Sequence, residues 1–290
     1  MNLALALRLG RISNLPTVWT NVLVGFLLAG GSLADLNLPL LMAALSSFYV
    51  GGMFLNDAFD RDFDAKYRPE RPIPAGQVSA RTVFVTGFAL LVLGTVGVAA
   101  ASRGPDGMPA WRALASATAL AALIVLYDAH HKNNPFSPLV MGLCRVFVYV
   151  TASYSVAQVM PNSLIAASGA LLCHLIGLTY IAKQEHLDRM GNLWPLGLLA
   201  LPVAYGMALA LSEPVAWGLL GLYAGALAFA MSLLRRRAPG DVPRAVVILI
   251  AGMSLLDAVV LAGSGHVLAA ALAVIGFVLT LALQKFVSGT

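Results

Sequence analysis

The stretch Asn56-Asp57-Ala58-Phe59-Asp60-Arg61-Asp62-Phe63-Asp64 sets four carboxylates within eight residues. Groups of one sign at this density repel one another unless a cation or a basic ligand stands between them. At about 100° of helical turn per residue, Asn56, Asp57, Asp60 and Asp64 fall within one arc of about 100°, and Asp62 points the other way. An oxygen-rich face with gaps of three and four suits a hard divalent cation that keeps several waters and bridges to phosphate, as Mg²⁺ does. The chain continues Lys66-Tyr67-Arg68-Pro69-Glu70-Arg71-Pro72-Ile73-Pro74-Ala75-Gly76. Its prolines fix the direction of the loop, and arginine presents paired donors that match phosphate oxygens. Carboxylates for a metal and arginines for phosphate together outline a diphosphate site.

The elements that must hold these residues are set by composition. Of 290 residues 59% are hydrophobic and 11% charged, and the mean hydropathy is +0.84. Soluble domains carry about 25% charge, so a soluble enzyme, a disordered chain and a nucleic-acid-binding protein are all excluded. Apolar segments fall at about 15–31, 38–56, 82–101, 111–127, 137–159, 163–182, 193–211, 214–233, 245–263 and 266–284. Each approaches the roughly 20 residues that span a bilayer. Ten spans are expected, or nine if the last two form one helix broken at Gly263-Ser264-Gly265-His266. The expected fold class is therefore all-α, a polytopic bundle around a central cavity, with residues 1–290 as one integral-membrane domain.

Ten spans place every lysine and arginine on one side except Arg103, Arg112 and the intramembrane Arg145. By the positive-inside rule that side is cytoplasmic. Both ends, and the loops near 57–81, 128–136 and 183–192, are then expected on the cytoplasmic face of the cell membrane. A plain charged cap on that face would be basic, yet Asp and Asn line the arc after the second span. Cys144 and Cys173 lie in apolar runs and read as small buried hydrophobes. Arg145 needs a cavity or a partner, because a charge mid-membrane costs about 2.5–3.5 kcal/mol on insertion scales. Two readings stand: an ion pair with Asp257, or contact with a substrate oxygen. His130 and His131 are adjacent, so their side chains diverge and make no metal site alone.

Asn56-Asp57-x-x-Asp60-x-x-x-Asp64 followed by Arg71-Pro72-Ile73-Pro74-x-Gly76 resembles the first aspartate-rich motif of the UbiA superfamily of intramembrane prenyltransferases. Arg11-Ile12-Ser13-Asn14-Leu15-Pro16-Thr17 resembles, less closely, the approach to that family's first helix. The resemblance implies a helical bundle in which a polyprenyl diphosphate is ionised with Mg²⁺ and the allylic group passes to a small, often aromatic, acceptor. Asn56, Asp57, Asp60 and Asp64 would hold Mg²⁺ and diphosphate, with Arg68 and Arg71 nearby. In Tyr127-Asp128-Ala129-His130-His131-Lys132-Asn133-Asn134-Pro135, Lys132 with Asn133 or Asn134 matches the family's diphosphate-touching segment. The second motif departs from the pattern of two aspartates four apart. It reads Lys183-Gln184-Glu185-His186-Leu187-Asp188-Arg189, with Gln184 where an acid belongs if Asp188 is the last ligand, and Arg189 there if Glu185 is the first. Asp188 is then the expected second metal ligand, and Lys183, Gln184 and Glu185 are expected on the substrate. The segment Tyr127–Tyr149 resembles the EboC-like branch, which implies a role in making or moving a specialised metabolite. Two other functions stay open on the sequence: a non-catalytic isoprenoid or lipid-phosphate carrier, supported by the altered second motif, and a secondary transporter, supported by Asp257 and Gly263–Gly265.

Overall fold

The structure, a computed structural model, describes residues 1–102, 110–132, 134–183 and 197–287, with Lys183 described in its backbone only. Two short helices, α1 (Leu3–Leu9) and α4 (Arg61–Tyr67), flank the acidic loop. Among the described residues ten apolar helices make the bundle. They are α2 (Leu15–Leu28), α3 (Asn37–Phe59), α5 (Ala80–Ala101), α6 (Trp111–His130), α7 (Ser137–Tyr154), α8 (Asn162–Lys183), α9 (Ala200–Ser212), α10 (Val215–Arg236), α11 (Asp241–Gly263) and α12 (Val267–Leu283). Seven of them, α3, α5, α6, α7, α8, α10 and α11, are long and apolar enough to cross a membrane. The last two segments are separate helices packed against each other, turned at Ser264–His266 by Gly265 with φ 83°. A single broken helix would leave them end to end.

Helix α11 is the buried axis, 83% of its apolar stretch covered, while α5 and α6 are peripheral at 28%. On α5 the side chains of Val85, Val92 and Val96 point outward, about 60% exposed, as a lipid-facing wall requires. Between helices in a bilayer, small residues permit close backbone approach. A Cβ on Gly25 of α2 would lie 2.3 Å from the carbonyl of Tyr149 on α7. Cβ atoms on Gly51 of α3 and Gly87 of α5 would each lie about 3 Å from the other's carbonyl.

Intramembrane charge is absorbed by one network. Arg145 Nη1 donates to Asn21 Oδ1 at 3.3 Å, and Asn21 Nδ2 donates to Asp257 Oδ2 at 2.8 Å. The Tyr149 hydroxyl donates to the other Asp257 oxygen. The expected Arg145–Asp257 ion pair is thus not direct: one amide relays between them, tying α7, α2 and α11. Arg145 also sits over the Tyr49 ring, 5.1 Å from its centroid, a favourable place for a guanidinium away from water. Cys144 and Cys173 are free and half-buried, less enclosed than their apolar surroundings in sequence suggest.

Candidate active site

Helix α3 ends at Phe59, and Asp60 joins it to α4 with its backbone still helical. The acidic cluster therefore straddles a helix junction at the bundle's end. Helix α6 ends beside it. Asn56 Nδ2 donates to Asp128 Oδ1 at 3.1 Å, and one turn further along both chains Lys132 Nζ stands 3.0 Å from Asp60 Oδ1. Two i, i+4 pairs meeting in the same order mean that α3 and α6 run in the same direction toward one face. His131 Nε2 lies 3.5 Å from Asp60 Oδ2, so this histidine sits on the carboxylate without forming a metal site of its own.

The arc of four oxygens is divided by the arginines. Arg11 Nη2 and Arg71 Nη1 both donate to Asp57 Oδ1, at 2.9 and 2.8 Å, and Arg71 Nη1 lies 3.8 Å from Asp64 Oδ2. Asp57 and Asp64 are turned to these guanidiniums, and the Asp64 side chain is 2% exposed. Asn56 and Asp60 face the cavity. The two arginines thus draw Asp57 and Asp64 toward themselves and leave Asn56 and Asp60 on the cavity side of the arc. Asp62 points out, its side chain 86% exposed, as the arc requires.

Electrostatics follow the same division. Burial pushes the Asp60 carboxyl up, but His131 and Lys132 outweigh it and hold the group below the usual aspartate value. Burial raises Asp64, with Asp60 and Asp57 adding to the rise and Arg71 opposing it, and the net direction is up. Arg71 is lowered by burial and by Arg11, against Asp57 and Asp64. Arg11 is lowered by burial, but Asp57 and its other neighbours carry it above the ordinary arginine value. Arg11 adopts φ 43°, a left-handed conformation uncommon outside glycine, and this aims its guanidinium at Asn56, Asp57 and Met53.

The acidic mouth opens on a cavity of about 550 Å³. Asn56, Asp60, Arg68, Arg71, Asp128 and Lys132 line the charged end, and Leu45, Phe48, Leu120, Val148, Leu175 and Met253 line the apolar remainder. Arg145 reaches the same space from α7. A second pocket of about 630 Å³ lies on the other side of the arginines, lined by Arg8, Arg11, Asp57, Arg68, Arg71 and Phe286. Both ends of the described chain therefore stand at the face where the mouth opens. Asn133, Gln184, Glu185 and Asp188 lie outside the described residues, as does the side chain of Lys183. Among the described residues no three acidic, imidazole or thiol groups stand together to cage a metal ion. Mg²⁺ needs no such cage where one or two carboxylates act with substrate phosphates, and Asp60 and Asn56 supply oxygens of that kind.

The sequence reading gave no role to Arg11 beyond its charge or to Asp128 at all. Arg11 had a signal in its segment's likeness to the family's approach to the first helix. Asp128 lies in the segment Tyr127–Pro135 that was matched through Lys132, but nothing in the sequence signals its pairing with Asn56.

The UbiA prenyltransferase family model matches residues 18–249. The chain belongs to this family. Membership makes it a transferase of alkyl groups other than methyl, built into a membrane. A digeranylgeranylglyceryl phosphate synthase from Methanopyrus kandleri is 32% identical over 210 residues, 71% of each chain. A solved structure concerned with digeranylgeranylglyceryl phosphate synthase in membranes superposes with a TM-score of 0.62 at 18% identity, covering 91% of this chain and 98% of that one. A UbiA homologue from Archaeoglobus fulgidus, bound to GPP and Mg²⁺, gives 0.59 at 16% identity, covering 88% and 99%. At such identities the two structures speak for the UbiA fold alone. The relatives speak for the family and not for its EboC-like branch.

Proposed function

We propose that this UbiA-family chain transfers a prenyl group from a polyprenyl diphosphate to a small acceptor inside the bundle, with Mg²⁺ at the mouth. The supporting observation is the cavity itself, with Asn56, Asp60, Arg68, Arg71 and Lys132 at one end and beyond them a mainly apolar lining that also includes Arg145. Arg68, Arg71 and Lys132 hold the diphosphate, and Asn56 and Asp60 hold the metal. Asp57 and Asp64 keep Arg11 and Arg71 oriented. Mg²⁺, when bound, draws charge off the diphosphate as it departs. The C1–O bond of the donor breaks with its electron pair leaving on diphosphate; the acceptor's nucleophilic atom bonds to C1 and sheds a proton. Leu120, Val148 and their neighbours keep water from the allylic cation. By this reading Lys183, at the end of α8, and Gln184, Glu185 and Asp188 beyond it act on the diphosphate and its metal, and the mouth faces the cytoplasm.

An aromatic acceptor was expected from the resemblance. The arginines of the second pocket, Arg8, Arg11, Arg68 and Arg71, favour an anionic one, in keeping with relatives named for digeranylgeranylglyceryl phosphate. Purified protein in lipid, given Mg²⁺ and donors of several lengths, should release diphosphate with a phosphorylated glycerol ether more readily than with a neutral phenol. Release should cease without Mg²⁺ or in Asp60→Ala. Release that ignores both would sink the reading.

A further inference from the structure

We propose that Asp128 is a metal-ligating carboxylate of this site, contributed by α6 and belonging to neither aspartate motif. The proposal rests on the diphosphate–Mg²⁺ reading above. Asp128 is 4% exposed and lines the cavity. Its Oδ1 accepts from Asn56 Nδ2, which fixes the carboxylate's rotation, and its Oδ2 is buried with no hydrogen-bond partner. A buried carboxylate oxygen without a donor costs free energy, and such orphans are filled by a ligand, a water or an ion. Arginine does not fill this one: Arg11 and Arg71 are taken by Asp57. Lys132, one turn on, is taken by Asp60. What remains is a buried carboxyl oxygen without a donor, on a residue that lines the same cavity as Asn56 and Asp60 and stands at a helix end running parallel to theirs. A divalent cation between the two helix ends would meet oxygens from both, with diphosphate and water completing its shell. This supplies an acid in a chain whose second motif has Gln184 at an expected acidic position.

Inorganic pyrophosphate, with and without Mg²⁺, is the probe, titrated against detergent-solubilised full chain by calorimetry. If Asp128 is a ligand, Asp128→Asn loses about tenfold or more of the Mg²⁺-dependent gain in affinity. Metal-free pyrophosphate binding stays level or tightens, because the Asp128 carboxyl meets the anion only through the metal. If the residue only positions Asn56, both affinities fall together, and that overturns the proposal. Equal behaviour of variant and wild type overturns it too, while leaving the diphosphate reading intact. Failure of the wild type to show any Mg²⁺-dependent gain overturns both. The unmodified protein gives a second measurement should the variant not fold. Fe²⁺ in place of Mg²⁺, with pyrophosphate and peroxide, should cut the backbone near Asp60 and near Asp128. Cuts near Asp60 alone would refute the assignment.

Discussion

A carboxylate's neighbours decide its role more than its place in a motif. Asp57 and Asp62 stand five residues apart in one acidic run, yet Asp57 carries two guanidiniums and Asp62 faces water. Arg71→Ala should therefore destabilise the protein by about 3 kcal/mol, since it strips Asp64 of its nearest cation and Asp57 of one of two in a buried setting. Asp62→Ala should stay within about 0.5 kcal/mol. Thermal unfolding in detergent separates the two, and equal losses would mean that the arginine pairs carry no stability. The motif was legible because its spacing of three and four is unusual for a membrane surface. The division within it was not, since Arg11 meets Asp57 across 46 residues of chain through a backbone turn that no pattern announces. Asp128 was illegible for the same reason: its meaning comes from Asn56, 72 residues away.

At the scale of helices, hydropathy located all ten apolar segments, because lipid demands long unbroken apolar runs and loops interrupt them. It did not say which faces touch. In a bilayer apolar side chains face both lipid and neighbours, so periodicity loses its contrast, and the contacts are set by where glycine allows backbones together. Gly25 is such a place. A methyl there meets the Tyr149 carbonyl at 2.3 Å and the Ala152 Cβ at 2.9 Å. Gly25→Ala must push α2 from α7, and Asn21 on α2 is the relay between Arg145 and Asp257. The variant should lose several degrees of thermal stability and weaken donor binding. Gly225→Ala, on an exposed face of α10 with nothing within 4 Å, should be neutral or stabilising, as expected of a helix-interior glycine replaced by alanine. Equal effects of the two changes would refute the close-contact account of α2 and α7.

The bundle as a whole acts as a ruler. Helix α3 runs toward the mouth and α7 away from it, so depth can be counted along both. Leu45 lies eleven residues before Asn56, and Val148 eleven after Ser137, about 16 Å of helix in each case. Both line the cavity, and both belong to its apolar end. A prenyl tail anchored by its diphosphate at Asp60 and Lys132 must point toward them, because Arg145, the cation nearest that depth, is engaged by Asn21 and the Tyr49 ring, while Asn56, Asp60, Arg68, Arg71 and Lys132 gather at the mouth. The longest tail accepted is then set by the side chains at that depth and not by the mouth. Val148→Phe fills the floor without touching the diphosphate residues. It should leave pyrophosphate binding and transfer from the shortest donor near wild type, and cut transfer from longer donors increasingly with each isoprene unit. Measuring kcat/KM across a donor series tests this directly. A uniform loss at every length would mean that the variant has only strained the core, as overpacking does. An unchanged profile would mean that the tail leaves the cavity between helices before it reaches α7's far turn.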